Sequence, residues 1–307
     1  MYGVPYALFD CHADTVTKAY KNGESVFSGN MQVTPDKLKM YTKAIQCYAI
    51  YNDGTLKMND VYTIINRFIG ECSNSKYVNY CRNSNEANYA HRQGRIAAFL
   101  TLESAGNAED FSCNDVIALR QLGVRMLSLT WNNDNSLCGG IEVNKKGITE
   151  KGIKVLEAME KCNMMLDVSH LSDEGFFDAL KVYKKPVCAS HSNSRAVCNI
   201  RRNLTDEQIK AIIVTGGVIG INFFPDFVGE REMLINHIEH IKELGGAKNI
   251  GIGSDFDGID FCYKDLAHTG LIAHFFDEMF GKNYLKQFIY DVAYNNFNDI
   301  FKKFEIF

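Results

Sequence analysis

Short apolar runs that end abruptly in polar residues recur along this 307-residue chain, and most are separated by stretches of helical periodicity. Eight of them are strand candidates: Tyr6 to Cys11, residues 44–51, Arg95 to Leu102, Val124 to Leu129, Met164 to Val168, Pro186 to Ala189, Gly216 to Asn222 and Asn249 to Ser254. Residues 56–71 read as a helix with Val61, Ile64, Ile65 and Phe68 on one stripe. Residues 114–122, stopped by Gly123, and Ile148 to Cys162 are further helices. Ser172 caps another, with Asp173 and Glu174 in its first turn, and Thr205 with Gln208 forms a capping box. Helices over 229–244, about 265–280 and 284–302 complete the pattern. Strands alternating with helices imply a parallel sheet. Eight such units over roughly 300 residues predict an α/β fold, a (β/α)8 TIM barrel of metal-dependent hydrolase type, as one domain over 1–307, with its active site at the carboxyl ends of the strands.

Composition narrows the classes. The net charge is -4 and there is no basic run or arm, which excludes a nucleic-acid binder. No apolar run approaches the roughly 20 residues a membrane span needs, and the N-terminal residues lack a basic segment followed by an apolar one. Ten cysteines without C-x-x-C pairs, in a chain 46% hydrophobic, read as reduced and mostly buried thiols. A soluble, cytoplasmic protein with no membrane partner is the expectation.

The strand ends carry the chemistry. Two runs end in Ser-His, at Ser169-His170 and Ser190-His191, one helix length apart, so both imidazoles reach the same face of a sheet. The first run ends in His12-Ala13-Asp14, and positions i and i+2 of an extended segment share a face. The third ends in Glu103, where an unpaired buried carboxylate would cost several kcal/mol. The fourth delivers Trp131, the only tryptophan, and the last Asp255. Arg202 lies in the loop before the capped helix, where most arginines are solvated; His237 and His240 are on a helix far from any strand end and read as surface or packing residues. Three histidines and two or three carboxylates exceed what one catalytic zinc takes. They suit two divalent ions about 3.5 Å apart that share a bridging carboxylate, Glu103, and a bridging water whose pKa they lower. Nitrogen and carboxylate donors without thiolate point to Zn2+, with Mn2+ or Co2+ as alternatives. Asp255 is left over to move the proton.

Seven segments carry a family resemblance: Asp10-Cys11-His12-Ala13-Asp14, Leu102-Glu103, Gly123-Val124-Arg125 through Thr130, Leu166-Asp167-Val168-Ser169-His170, Ala189 to Arg195, Arg202 to Glu207, and Gly251 to Gly258. Spread over about 250 residues and in the family's order, they make the chain similar to the membrane dipeptidase (renal dipeptidase) family, peptidase family M19, of the amidohydrolase-like superfamily. The resemblance implies a zinc-dependent dipeptidase, often tolerant of a D-residue at the C-terminal position, and suggests a homodimer. By the same resemblance His12 and Asp14 hold one zinc, Glu103 bridges, and His170 and His191 hold the second. Arg202 grips the substrate's free carboxylate, and Asp255 is the acid/base and holds the amino group. The chain departs from the pattern at Trp131, where mammalian members carry a histidine near the substrate carbonyl, and at Phe224 and Phe227, where a tyrosine or two is expected. Those departures raise a second reading: a related binuclear metal amidohydrolase acting on another small amide, an N-acyl amino acid or a lactone. The lipid-anchor tail and signal peptide of mammalian members find no counterpart.

Overall fold

The computed structural model describes residues 6–143 and 145–305. Nine parallel strands run β1 (Leu8–Asp10), β2 (Ala44–Tyr51), β3 (Val78–Tyr80), β4 (Ile96–Glu103), β5 (Val124–Ser128), β6 (Met165–Asp167), β7 (Val187–Ala189), β8 (Val218–Ile221) and β9 (Ile250–Ile252). Eight of them close into a barrel in the order β2-β1-β9-β8-β7-β6-β5-β4, and the ring shuts where β2 pairs β4 from Ile45↔Ala97 to Tyr51↔Glu103. These eight are the runs expected from the sequence. The ninth, β3, is extra. It pairs only the lower part of β4, Val78↔Ile96 to Tyr80↔Ala98, while β5 takes the upper part, Leu100↔Val124 to Leu102↔Leu127.

Apolar runs become these strands because both faces are covered. Side chains of all the barrel strands are almost wholly buried, as all-parallel sheets require. Phe9 of β1 packs outward on Phe297 and Phe301 of the C-terminal helix, with ring centroids 5.6 and 4.9 Å away. The helix Met58–Asn74 lays Val61, Ile64, Ile65 and Phe68 on the barrel, as its stripe predicted. Capping is also as read. Ser172 accepts from the Gly175 N–H, and Thr205 exchanges bonds with Gln208 across the first turn of Asp206–Thr215.

Some helices differ from expectation. The helix expected over 229–244 covers Met233–Ile241, followed by a wider turn to Gly246. Gly229, at φ 90°, ends the short helix Pro225–Val228, and the Tyr263 hydroxyl bonds its carbonyl, so the chain cannot run straight on. Two single turns precede the helix Ile272–Gly281, and the last helical stretch is Lys286–Tyr290 and Asn296–Lys303 joined by a wider turn. Close approach of strands fixes one residue: a Cβ on Gly253 would lie 1.8 Å from the Ser190 carbonyl oxygen. All ten cysteines are free thiols, six of them buried. Among the described residues no helix is long and apolar enough to cross a membrane.

Candidate metal centre

Every strand-end group singled out from the sequence reaches one place, the carboxyl end of the barrel. Glu103 closes β4 and divides its carboxylate between two histidines. One oxygen, Oε2, lies 3.2 Å from His12 Nε2, and the other, Oε1, lies 3.0 Å from His170 Nε2. Asp14 Oδ1 and Asp255 Oδ1 each stand 3.8 Å from His12 Nε2. His191 Nε2 approaches His170 Nε2 to 2.9 Å. Three overlapping donor sets result: His12, Asp14 and Glu103; Glu103, His170 and His191; and His12, His191 and Asp255, each within 4.8 Å. Backbone geometry is unusual just here. Ser104 and Asp255 both have φ 64°, a left-handed conformation that costs a non-glycine residue of order 1–3 kcal/mol and clusters at functional sites. Asp255 is held in it by its own N–H to the His12 carbonyl and by Asn222, whose amide donates to Oδ2 at 2.9 Å.

The cluster is short of positive charge. His12 Nε2, Asp14 Oδ1 and Glu103 Oε2 are buried without a hydrogen-bond partner, although buried polar atoms are nearly always satisfied. Burial pushes the Asp255 carboxyl up to about 7, with Asp14 and Glu103 adding to the shift against His12. Burial and the Glu103 charge push Asp14 up to about 6. Against the cost of its own burial, Glu103 is held well below the usual carboxylate range by His12 and His170. His12 is raised despite burial, by Glu103 and Asp14. Burial and Arg202 depress His170 to about 4, and burial with His12 and Arg202 depresses His191. Those last two imidazoles are therefore neutral, as a metal ligand must be.

Second contacts orient the ligands. Asn132 Oδ1 accepts from His170 Nδ1 at 2.9 Å, and Ser190 Oγ lies 2.7 Å from His191 Nδ1, so each ring turns Nε2 inward. Gly258 leaves room for Asp14: a Cβ there would lie 2.0 Å from Asp14 Oδ2. Arg202, the expected carboxylate clamp, is only 6% exposed, unlike most loop arginines. Its guanidinium donates to Ser192 Oγ and the His191 carbonyl, both at 2.9 Å, and faces His170 Nε2 at 3.0 Å, while its Nε–H has no partner. The cavity over the cluster has a volume of about 690 Å3, and Tyr51, Trp131, Phe224 and Phe227 form its aromatic walls. Trp131 meets Tyr51 edge-on at 5.2 Å and lies 6.4 Å from the His170 ring. His237 and His240 stay away. His237 is fully buried between the Ser194 N–H and the Val228 carbonyl, and His240 pairs with Asp206 at 2.7 Å. Asn132 and Asn222 were not singled out from the sequence, and Ser190 was marked only as half of a Ser-His pair; the signal for their orienting contacts was no more than a polar residue at or beside a strand end.

Fold and cluster together define a parallel (β/α)8 barrel with a candidate divalent-metal centre on its catalytic face. The chain belongs to the membrane dipeptidase family, peptidase family M19, a family of metallopeptidases whose sequence profile matches residues 5–307. It is 36% identical over 183 residues to an uncharacterized dipeptidase of Schizosaccharomyces pombe, an alignment covering 54% of this chain and 42% of that protein. In structure it resembles the M19 metallopeptidase called dipeptidase AC, with a TM-score of 0.87 at 22% identity over 97% of this chain and 98% of that one. A metallopeptidase from Rhodobacter sphaeroides, liganded with a phosphinate mimic of the dipeptide L-Ala-D-Ala, superposes with a TM-score of 0.85 at 20% identity, covering 97% and 99%.

Proposed function

We propose that this chain is a dipeptidase that hydrolyses the peptide bond of small dipeptides, L-D as well as L-L, with two zinc ions, and that residues 1–307 act as one catalytic domain. The observation that carries this reading is the Glu103 carboxylate, whose two oxygens face His12 and His170 separately. That arrangement suits a bridge between one ion held with His12 and Asp14 and a second held with His170 and His191. The residues fit such a group: the donors are imidazole and carboxylate, and three of their buried atoms lack any other partner. Bound divalent ions supply a Lewis acid for the scissile carbonyl and acidify a water as nucleophile.

The chain's own residues do the rest. Arg202 is held by Ser192 and the His191 carbonyl beside His170, and its guanidinium would take the substrate's free carboxylate, a contact for which a planar guanidinium is well shaped. Asp255, fixed by Asn222 beside His12, accepts a proton from the attacking water and returns it to the leaving amine, and its charge attracts the substrate's ammonium group. Trp131 and Tyr51 wall the cavity and would pack against the bound dipeptide.

The test is hydrolysis of an L-L and L-D dipeptide set by zinc-loaded protein, with Arg202→Ala alongside. Turnover by the wild type and a KM raised about 10- to 100-fold in the variant is expected, from loss of a charged hydrogen bond worth roughly 1.5–3 kcal/mol. No turnover of any dipeptide, with two equivalents of metal bound, would refute it. Cleavage of N-acyl amino acids or lactones instead would establish the second reading, which rests on Trp131, Phe224 and Phe227 lining the cavity without hydrogen-bonding hydroxyls.

A further inference from the structure

The two Ser-His pairs of the sequence are joined by a carboxylate that the proposed reaction does not use. Asp167, at the end of β6, is 3% exposed and accepts four hydrogen bonds. Its Oδ1 takes the Ser169 N–H at 3.0 Å, the Ser169 hydroxyl at 2.7 Å and the Ser190 N–H at 3.0 Å. Its Oδ2 takes the Ser190 hydroxyl. Both hydroxyl protons are thereby spent on Asp167. Both serine oxygens are then left as acceptors, and both accept from the same residue: Ser169 Oγ from the His191 backbone N–H at 3.2 Å, and Ser190 Oγ from His191 Nδ1 at 2.7 Å.

We infer that Asp167 is a positioning residue that fixes the tautomer of His191 through Ser190. A carboxylate has acceptors only. The Ser190 O–H points at it, the Ser190 oxygen is left to accept, and His191 Nδ1 at 2.7 Å is the nearest group that can supply the proton, ahead of the Ser169 hydroxyl at 3.3 Å and His12 Nδ1 at 3.5 Å. The lone pair is therefore on Nε2, the atom that lies 2.9 Å from His170 Nε2, in the donor set that His191 forms with His170 and Glu103. Asp167 touches neither substrate nor the reacting atoms; it sets which nitrogen of His191 is available. The inference rests on the reading of His191 as a metal ligand, but its central claim concerns the ring in the metal-free protein.

The geometry allows a nearly isosteric test. In Asp167→Asn the amide oxygen keeps the three donors now on Oδ1, so the amide NH2 faces Ser190 Oγ and donates to it. The Ser190 O–H must then turn toward His191 Nδ1, and the proton of the ring moves to Nε2. The relay runs backwards without loss of volume. In 15N-histidine NMR of the metal-free proteins, His191 should be the Nδ1–H tautomer in the wild type and the Nε2–H tautomer in Asp167→Asn. Titration with zinc alone should show one of the two sites weakened about 10- to 100-fold, as for other outer contacts of metal-bound histidines. Ser190→Ala, which removes the acceptor instead of reversing it, is the second variant; it should lose the uniform Nδ1–H state and weaken the same site. A wild type with Nε2–H at His191, or both variants keeping the wild-type tautomer and zinc isotherm, would overturn the inference. The two readings fail separately. A wild type inactive on dipeptides would count against the proposed activity and leave the tautomer result intact.

Discussion

His237 gives a pH dependence whose size follows from its surroundings. It is fully buried, donates Nε2–H to the Val228 carbonyl at 3.1 Å, and accepts the Ser194 N–H on Nδ1 at 3.1 Å. Burial depresses its pKa from the ordinary 6.5 to about 4. Between those values the unfolded chain binds a proton at this residue that the folded chain refuses. Stability is therefore full above pH 6.5 and falls as pH drops toward 4. A shift of about 2.5 pKa units at 1.36 kcal/mol each corresponds to about 3.4 kcal/mol over the whole window. From pH 7.5 to 4.5 the loss is about 2.5 kcal/mol. Other buried groups titrate in the same range, and Asp255 and Asp14 do so with the opposite sign, because their raised values favour the folded state at low pH. The measurement is therefore a difference of differences: urea unfolding of wild type and His237→Asn at both pH values. The wild type should lose about 2.5 kcal/mol more than the variant on acidification. Equal losses would refute the claim that His237 is neutral because it is buried. Its partner Ser194 follows Ser192, which holds Arg202, so acid should also loosen the loop that carries the carboxylate clamp.

Two further perturbations separate the site from the scaffold. Gly258→Ala would put a methyl group 2.0 Å from Asp14 Oδ2 and push that carboxylate off its place; zinc affinity should fall at least about tenfold while the circular dichroism spectrum is unchanged. Phe297→Ala removes a ring that is 1% exposed and packed on Phe9, and should lower unfolding free energy by about 3–5 kcal/mol in urea with zinc stoichiometry unaltered.

The barrel and most of its candidate site were legible in the sequence because the strands of the closed ring announce themselves by an apolar run, and most of them again by the polar residue that ends it. His12, Asp14, Glu103, His170, His191 and Asp255 were placed by that rule, and all six meet. The strand β3 was not legible. Three residues, one buried and two half-buried, pairing a single neighbour, leave no periodic trace. The burial of Arg202 had no signal in its own loop, because it comes from Ser192 and His191, which lie about ten residues away in sequence, and from His170; only the family resemblance marked it as a site residue. The orienting contacts of Asn132, Ser190 and Asn222 were missed for a related reason. A hydrogen bond to the far side of an imidazole has no period, only a partner.

The division of β4's edge has a consequence for how this molecule can change. One edge of β4 closes the ring on β2, and the other is shared, with β3 below and β5 above. The ring is complete without β3. The excursion from Tyr51 to Ile96 leaves the catalytic rim at Asn52, whose N–H bonds the Glu103 carbonyl, but its later part, residues 78–92, is fastened to the lower rim through β3 and through His91 on the Ala44 carbonyl. Changes in residues 78–92 are separated from Glu103 by the length of a strand, so the floor of this barrel can be altered while its upper surface keeps the same chemistry.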